Sequence, residues 1–193
     1  FSMMLYLGPP LARGPAGLGV VHATLHIPLR RVFDLLTVEH VHATIALADR
    51  ALRPLTAGRR PRVAVAGLNP HAGEHGLFGT EEVEILEPAI NRARAQGIDV
   101  TGPEPADTLF ERALAGDFDA VVAMYHDQGH CALKTIGFDC AVNVTLGLPI
   151  VRTSVAHGTA FDIAWQGRAE TTSLIEAIRV AARIVAGRRA ESV

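Results

Sequence analysis

An α/β fold is what this sequence predicts, and three observations predict it. Short apolar runs alternate with longer segments whose apolar residues recur at helical spacing. Loops rich in Gly, Pro and Asn separate the two kinds of segment. Apolar residues make up 49 % of the 193-residue chain, enough to bury a core between layers. No internal repeat or low-complexity tract breaks the alternation.

Taken in order, residues 2–7 read as a strand, and because chains seldom begin inside a strand, further residues are expected upstream. A Gly/Pro-rich stretch leads to a second strand over 18–25, giving a two-stranded unit with a loop between. Pro28 opens a short amphipathic segment to Leu36. Thr37 is the predicted N-cap of a longer helix, in which Val38, Val41, Ile45, Ala48, Leu52 and Leu55 share a face. Gly58 and the basic residues Arg59, Arg60 and Arg62 end it in a solvated turn. Residues 63–68 form a continuous apolar strand. Thr80 is the predicted cap of a helix whose first turn carries Glu81, Glu82 and Glu84, favourable at the positive helix end. That helix ends near Gly97 and a brief strand follows over 98–100. A helix over 107–115 precedes a buried strand at 120–124, and residues 126–129 read as a loop. A short helix through Lys134 leads to strands at 142–146 and 150–155. Helices close the chain over 159–165 and 171–186, the last with an apolar stripe of Ile175, Ile178, Ala182 and Val185.

Charge and motif content exclude several functions. Lys+Arg number 18 against 20 Asp+Glu, so no basic face for nucleic acid is expected. No apolar run approaches the roughly 20 residues that span a bilayer, and the first residues lack the basic start of a signal peptide. Cys131 and Cys140 are too few for a disulfide framework and have no CxxC spacing, so a reducing cytoplasm is the expected compartment. No GxGxxG follows a strand, and neither GxxxxGK[ST] nor GxSxG occurs.

Nine histidines are the unusual feature. His26, His71 and His126 each follow a predicted strand, where ligands collect in α/β folds, and neutral imidazole suits zinc and related divalent ions. Loop histidines also serve as capping or hydrogen-bonding groups, and spacing leaves both roles open. His22, His40 and His42 read as structural, while His75 and His130 sit near the same loops. His157, Gly158 and Thr159 look like a loop leading into a helix N-terminus, a natural contact for phosphate or a dinucleotide. Lys134, Asn143 and Arg152 form a second set. Arg152 follows an apolar stretch, and arginine recognises carboxylate or phosphate with two hydrogen bonds. Taken singly, these residues read as surface salt-bridge formers.

Several segments together resemble the 4-hydroxythreonine-4-phosphate dehydrogenase family. They are Thr24-Leu25-His26-Ile27-Pro28-Leu29, Gly67-Leu68-Asn69-Pro70-His71-Ala72-Gly73-Glu74, Gly102 to Leu109, Ala123-Met124-Tyr125-His126-Asp127-Gln128-Gly129, Asn143 to Pro149, and Arg152-Thr153-Ser154-Val155 with His157-Gly158-Thr159-Ala160. The resemblance runs from about Met3 to Gly187. It implies a fold similar to isocitrate and isopropylmalate dehydrogenases, with a largely parallel sheet flanked by helices and an N-terminal half that is missing here. It implies a metal bound by His26, His71 and His126, the last supplied by the other subunit of a homodimer. Zinc is the first choice, with cobalt, nickel and manganese as alternatives. Substrate binding falls to Lys134, Asn143 and Arg152, and NAD binding to His157, Gly158 and Thr159. Lys134 and Asp127 are the expected catalytic groups, Asp127 by orienting an imidazole. Residues 1–150 would carry dimerisation, metal and substrate, and 151–193 would complete the NAD domain. The implied reaction oxidises 4-phosphohydroxy-L-threonine, with decarboxylation to 3-amino-2-oxopropyl phosphate. The wording around Gly129-His130-Cys131 and Ala160-Phe161-Asp162 points instead to the branch acting on 4-phospho-threonate or erythronate. Alternatives of other classes are an inactive metal-binding fragment with an exposed apolar face and a metal-dependent hydrolase.

Overall fold

The computed structural model describes residues 2–191. Strands β1 (Ser2–Leu7) and β2 (Leu18–His22) form an antiparallel pair, and the Tyr6 hydroxyl donates to the Ala16 carbonyl at 2.6 Å to fasten the loop between them. A 3₁₀ turn (Leu29–Arg31) and the single helical turn α1 (Val32–Leu35) lead to α2 (Val38–Leu52). The Thr37 hydroxyl caps α2 as predicted, accepting from the His40 N–H at 3.1 Å. There follow β3 (Val63–Ala66), α3 (Glu87–Ala95), β4 (Val100–Glu104), α4 (Ala106–Ala115), β5 (Ala120–Ala123), α5 (His126–Gly137), β6 (Val142–Leu146), β7 (Arg152–Val155) and α6 (Thr172–Glu191).

The seven strands make one sheet in the order β4-β3-β5-β2-β1-β6-β7. Strands β2 to β5 are mutually parallel, and β1 is antiparallel to both β2 and β6. Five strands therefore point one way, and only β1 and β7 run against them. The boundary expected at residue 150 falls between β6 and β7, which pair directly.

Strand side chains alternate between two cores, as a pleat requires. Met4, Tyr6, Val21, Val65 and Val122 pack with α2, α3 and α6, while Leu5, Leu7, Val20, Ala64 and Val121 pack with α4 and α5. Covered on both faces, β3 and β5 have no polar residue, which is why their apolar runs are legible in the sequence.

The structure corrects several expected elements. Strand β2 ends at His22, although the Ala23 and Thr24 N–H groups still bond the Ala123 and Met124 carbonyls. The Thr80 side chain makes no cap; a π-helical turn over Glu82–Leu86 opens the helix, and the buried Glu82 carboxylate turns back to the preceding loop. Strand β4 starts at Val100 and runs to Glu104, with Pro103 tolerated because β4 is a sheet edge. Residues 126–129 are the first turn of α5 and not a loop. No helix forms over 159–165, only a 3₁₀ turn at Phe161–Ile163; Phe161 and Trp165 are fully exposed, so no buried face supports a helix there. In α6 the buried face is Ser173, Ala177, Val180 and Ile184, and the stripe predicted from Ile175, Ile178 and Val185 faces outward.

Candidate functional site

Parallel strands β2, β5 and β3 lie side by side, with His22 opposite Ala123 in the β2–β5 register. Their C-terminal ends therefore deliver His26, His126 and His71 to the same end of the sheet, where ligands collect in open α/β folds. His26 and His126 come together within one chain, with ring centroids 5.3 Å apart. His71 stays apart, and among the described residues no three His, Cys, Asp or Glu side chains are grouped to hold a metal. His71 lines a cavity with Asn69, Asp107, Tyr125 and Gln128, while His26, His126 and Asp127 line a neighbouring one; Tyr125 belongs to both.

His126 heads α5, and its Nδ1 lies 2.7 Å from the Asp127 carboxylate. A carboxylate can only accept, so Nδ1 carries the proton and Nε2 keeps its lone pair free. That is the arrangement of a metal-ligating imidazole held by a carboxylate, and the donor chemistry of His26 and His126 fits a divalent ion. Below the ring lies an arrangement that sequence reasoning missed. His130, one helical turn on, stacks on His126 with centroids 3.8 Å apart and planes 10° from parallel. His130 Nδ1 lies 3.1 Å from Nε2 of His22, which emerges from β2 on the α5 side. Burial drives the His22 pKa down to about 3, helped by the field of His130; burial and the neighbouring His126 lower that of His130 to about 4. Both are neutral near pH 7. The i,i+4 spacing of His126 and His130 was the signal in the sequence that pointed to this stack.

The loop carrying His71 is unusual. His71, Ala72, Gly73, Glu74 and His75 all have positive φ, between 41° and 76°. For residues other than glycine this left-handed turn costs roughly 1–2 kcal/mol each, so something must hold it. Glu82 does: its carboxylate accepts from the Leu68 and Asn69 N–H groups at 2.7 Å each and from the Asn69 amide at 2.9 Å. Gln128 ties the loop to α5, donating to the Gly67 carbonyl and accepting from the Met124 N–H, both at 2.7 Å.

Asn143 and Arg152 do come together, on β6 and β7. They line a cavity of about 640 Å³ with His26, His40, Thr44 and Thr145. Arg152 donates to the Thr145 hydroxyl at 2.8 Å across the strand pair, leaving further guanidinium donors for a ligand. Among the described residues the Asn143 side-chain oxygen, shielded from solvent, has no hydrogen-bond partner, and an orphaned acceptor in a cavity wall fits a ligand's donor. Lys134 is not part of this cavity; it follows His130 by one turn, with its ammonium 5.8 Å from the Phe138 ring. His157, Gly158 and Thr159 are exposed, and the His157 Nδ1 lies 2.9 Å from the Gly158 carbonyl. The helix N-terminus expected there does not exist.

Comparison with known proteins gives a consistent result. The family described as pyridoxal phosphate biosynthetic protein PdxA matches residues 1–181. The chain is 54 % identical over 179 residues to a 4-hydroxythreonine-4-phosphate dehydrogenase of Ralstonia nicotianae, covering 93 % of this chain and 53 % of the relative. It is 53 % identical over 167 residues to the D-threonate 4-phosphate dehydrogenase of Salmonella typhimurium, covering 86 % of this chain and 51 % of the relative. The crystal structure of a 4-hydroxythreonine-4-phosphate dehydrogenase from Klebsiella pneumoniae superposes with a TM-score of 0.82 at 49 % identity, over 95 % of this chain and 54 % of that one. A likeness in fold alone extends to an isocitrate dehydrogenase from Methylococcus capsulatus, at 17 % identity and a TM-score of 0.57, over 100 % of this chain and 62 % of that one. The chain spans about half the length of the curated relatives it matches.

Proposed function

We propose a function from one premise: the chain belongs to the pyridoxal phosphate biosynthetic protein PdxA family. It is the metal- and substrate-binding portion of an NAD-dependent dehydrogenase that oxidises the CH–OH group of a phosphorylated hydroxy acid. The carrying observation is the cavity that joins His26 to Asn143 and Arg152. A cation for phosphate or carboxylate and an unpaired amide acceptor sit there beside a potential metal ligand.

The Arg152 guanidinium holds the substrate's phosphate or carboxylate, pre-aimed by Thr145. Asn143 accepts a hydrogen bond from a substrate hydroxyl or amine. Lys134 adds positive charge from α5. Asp127 keeps His126 in the tautomer that leaves Nε2 free. His26 and His126 would hold a divalent ion, zinc first, with His71 as third ligand; bound there, it supplies Lewis acidity at the substrate hydroxyl. NAD serves as hydride acceptor, with His157, Gly158 and Thr159 on its side of the site and residues 151–193 completing its domain. A cytoplasmic homodimer with the active site at the subunit interface completes the reading.

Two substrates remain in competition, 4-phosphohydroxy-L-threonine and D-threonate 4-phosphate, named by relatives of almost equal identity. The test is a binding and turnover screen with both, NAD and a divalent ion, following NADH absorbance and melting temperature. A rise in melting temperature with one phosphorylated acid, abolished in Arg152→Ala, is expected. If neither acid is turned over or shifts melting, and only a phosphate ester is hydrolysed, the dehydrogenase reading is wrong.

A further inference from the structure

We propose that His22 and His130 are positioning residues for His126: a buried imidazole pair that sets the plane of the ring offered to the metal. This rests on the reading of His126 as a metal ligand. Three constraints meet on that one ring. Asp127 fixes it in its own plane through Nδ1 at 2.7 Å. His130 covers one face at 3.8 Å and nearly parallel. His26 stands 5.3 Å away, its plane tilted 45° to the His126 ring. His130 is in turn held by a single Nδ1–H shared between two acceptors, the His126 carbonyl at 3.2 Å and His22 Nε2 at 3.1 Å. His22 is 1 % exposed and lodged against α5 at Gly129, where a Cβ would collide with its ring.

The pair is poorly explained as core filling. Two buried imidazoles cost desolvation, and among the described residues Nδ1 of His22 finds only the Met3 backbone, outside good hydrogen-bond geometry. An apolar pair would fill the space without that cost. What the imidazoles add is direction: a flat, hydrogen-bonded ring stacks on His126 in one orientation, whereas a branched aliphatic side chain leaves it free to turn.

The experiment compares the chain with its His130→Leu and His130→Phe variants. Co²⁺ is titrated in and followed by visible absorption, and the metal-free chain is examined by long-range ¹H–¹⁵N correlation of the His126 ring. We expect His130→Leu to weaken Co²⁺ binding about 10-fold or more, to alter the absorption bands, and to mix the His126 tautomers without metal. His130→Phe, which keeps a flat ring on His126, should recover most of the affinity; were His130→Leu not to fold, a loss in His22→Leu with retention in His130→Phe would make the same point. Unchanged Co²⁺ affinity, spectrum and His126 tautomer in His130→Leu would overturn the proposal. If the parent binds no Co²⁺, or binds it equally well in His26→Ala, the metal reading fails instead, and the metal-free tautomer measurement still decides whether His130 orients His126.

Discussion

Replacing Gly129 by alanine tests the arrangement beneath the candidate site with an unusual sign. Gly129 lies inside α5, where alanine ordinarily gains about 1 kcal/mol over glycine through helix propensity. Here the added Cβ would run into the His22 ring and sit 2.7 Å from Val20 Cγ1, against an ordinary carbon–carbon contact of roughly 3.5 Å. Neither neighbour can yield freely, since β2 is fully buried and hydrogen-bonded on both sides. Overpacking of this kind costs about 1–3 kcal/mol, which offsets and exceeds the propensity gain. With about 2–4 °C per kcal/mol in a domain of this size, a lowered melting temperature is expected, measured by calorimetry and checked by urea denaturation. The cycle with His22→Ala isolates the cause: in that background the ring is gone and only Val20 resists, so Gly129→Ala should cost at least about 1 kcal/mol less. A higher melting temperature in the parent background, or a coupling within about 0.5 kcal/mol of zero, would refute the packing of His22 against Gly129.

Four other outcomes follow from single contacts. Asp127→Asn can no longer hold the Nδ1 proton of His126 as a carboxylate does, and divalent metal affinity should fall about 10- to 100-fold; unchanged affinity by Zn²⁺ competition would remove Asp127 from the site. Arg152→Lys loses the two-pronged donor, so binding of a phosphorylated hydroxy acid, measured calorimetrically, should weaken about tenfold or more, with melting temperature little changed. Glu82→Gln places an amide donor against the Asn69 amide and should cost about 1–3 kcal/mol, with faster proteolysis at residues 70–76; equal proteolysis would mean another group holds the left-handed turn. Asp119, fully buried, has its carboxyl pulled two ways: burial raises the pKa, and hydrogen bonds from Arg59 and Arg62 outweigh it, leaving the folded value below normal. Its contribution is therefore present above the unfolded value near pH 4 and is lost as pH falls through the folded one, so Asp119→Asn should flatten the acid limb of the stability curve.

The sequence by itself determined the elements whose local pattern and environment agree. Apolar β3 and β5, the Thr37 cap with the stripe of α2, and strand β1 all appear where periodicity and capping place them. The strand-end positions of His26, His71 and His126 were legible for the same reason, because a chain leaving a buried strand must turn at a sheet end. Only the tertiary structure decided which side chains meet there. His26 and His126 converge because β2 and β5 are neighbours, a pairing between residues some hundred positions apart that no local signal encodes. The same holds for His22, which reads as a bland strand residue until α5 is laid across β2 and His130 lands on it. Helix α6 carries two apolar stripes, and docking on β6 and β7 selected Ala177, Val180 and Ile184 over Ile175, Ile178 and Val185. At 159–165 a helical pattern found no surface to bury against and stayed a single turn. Propensity proposes such segments, but burial, which depends on distant residues, supplies most of the free energy that chooses among them.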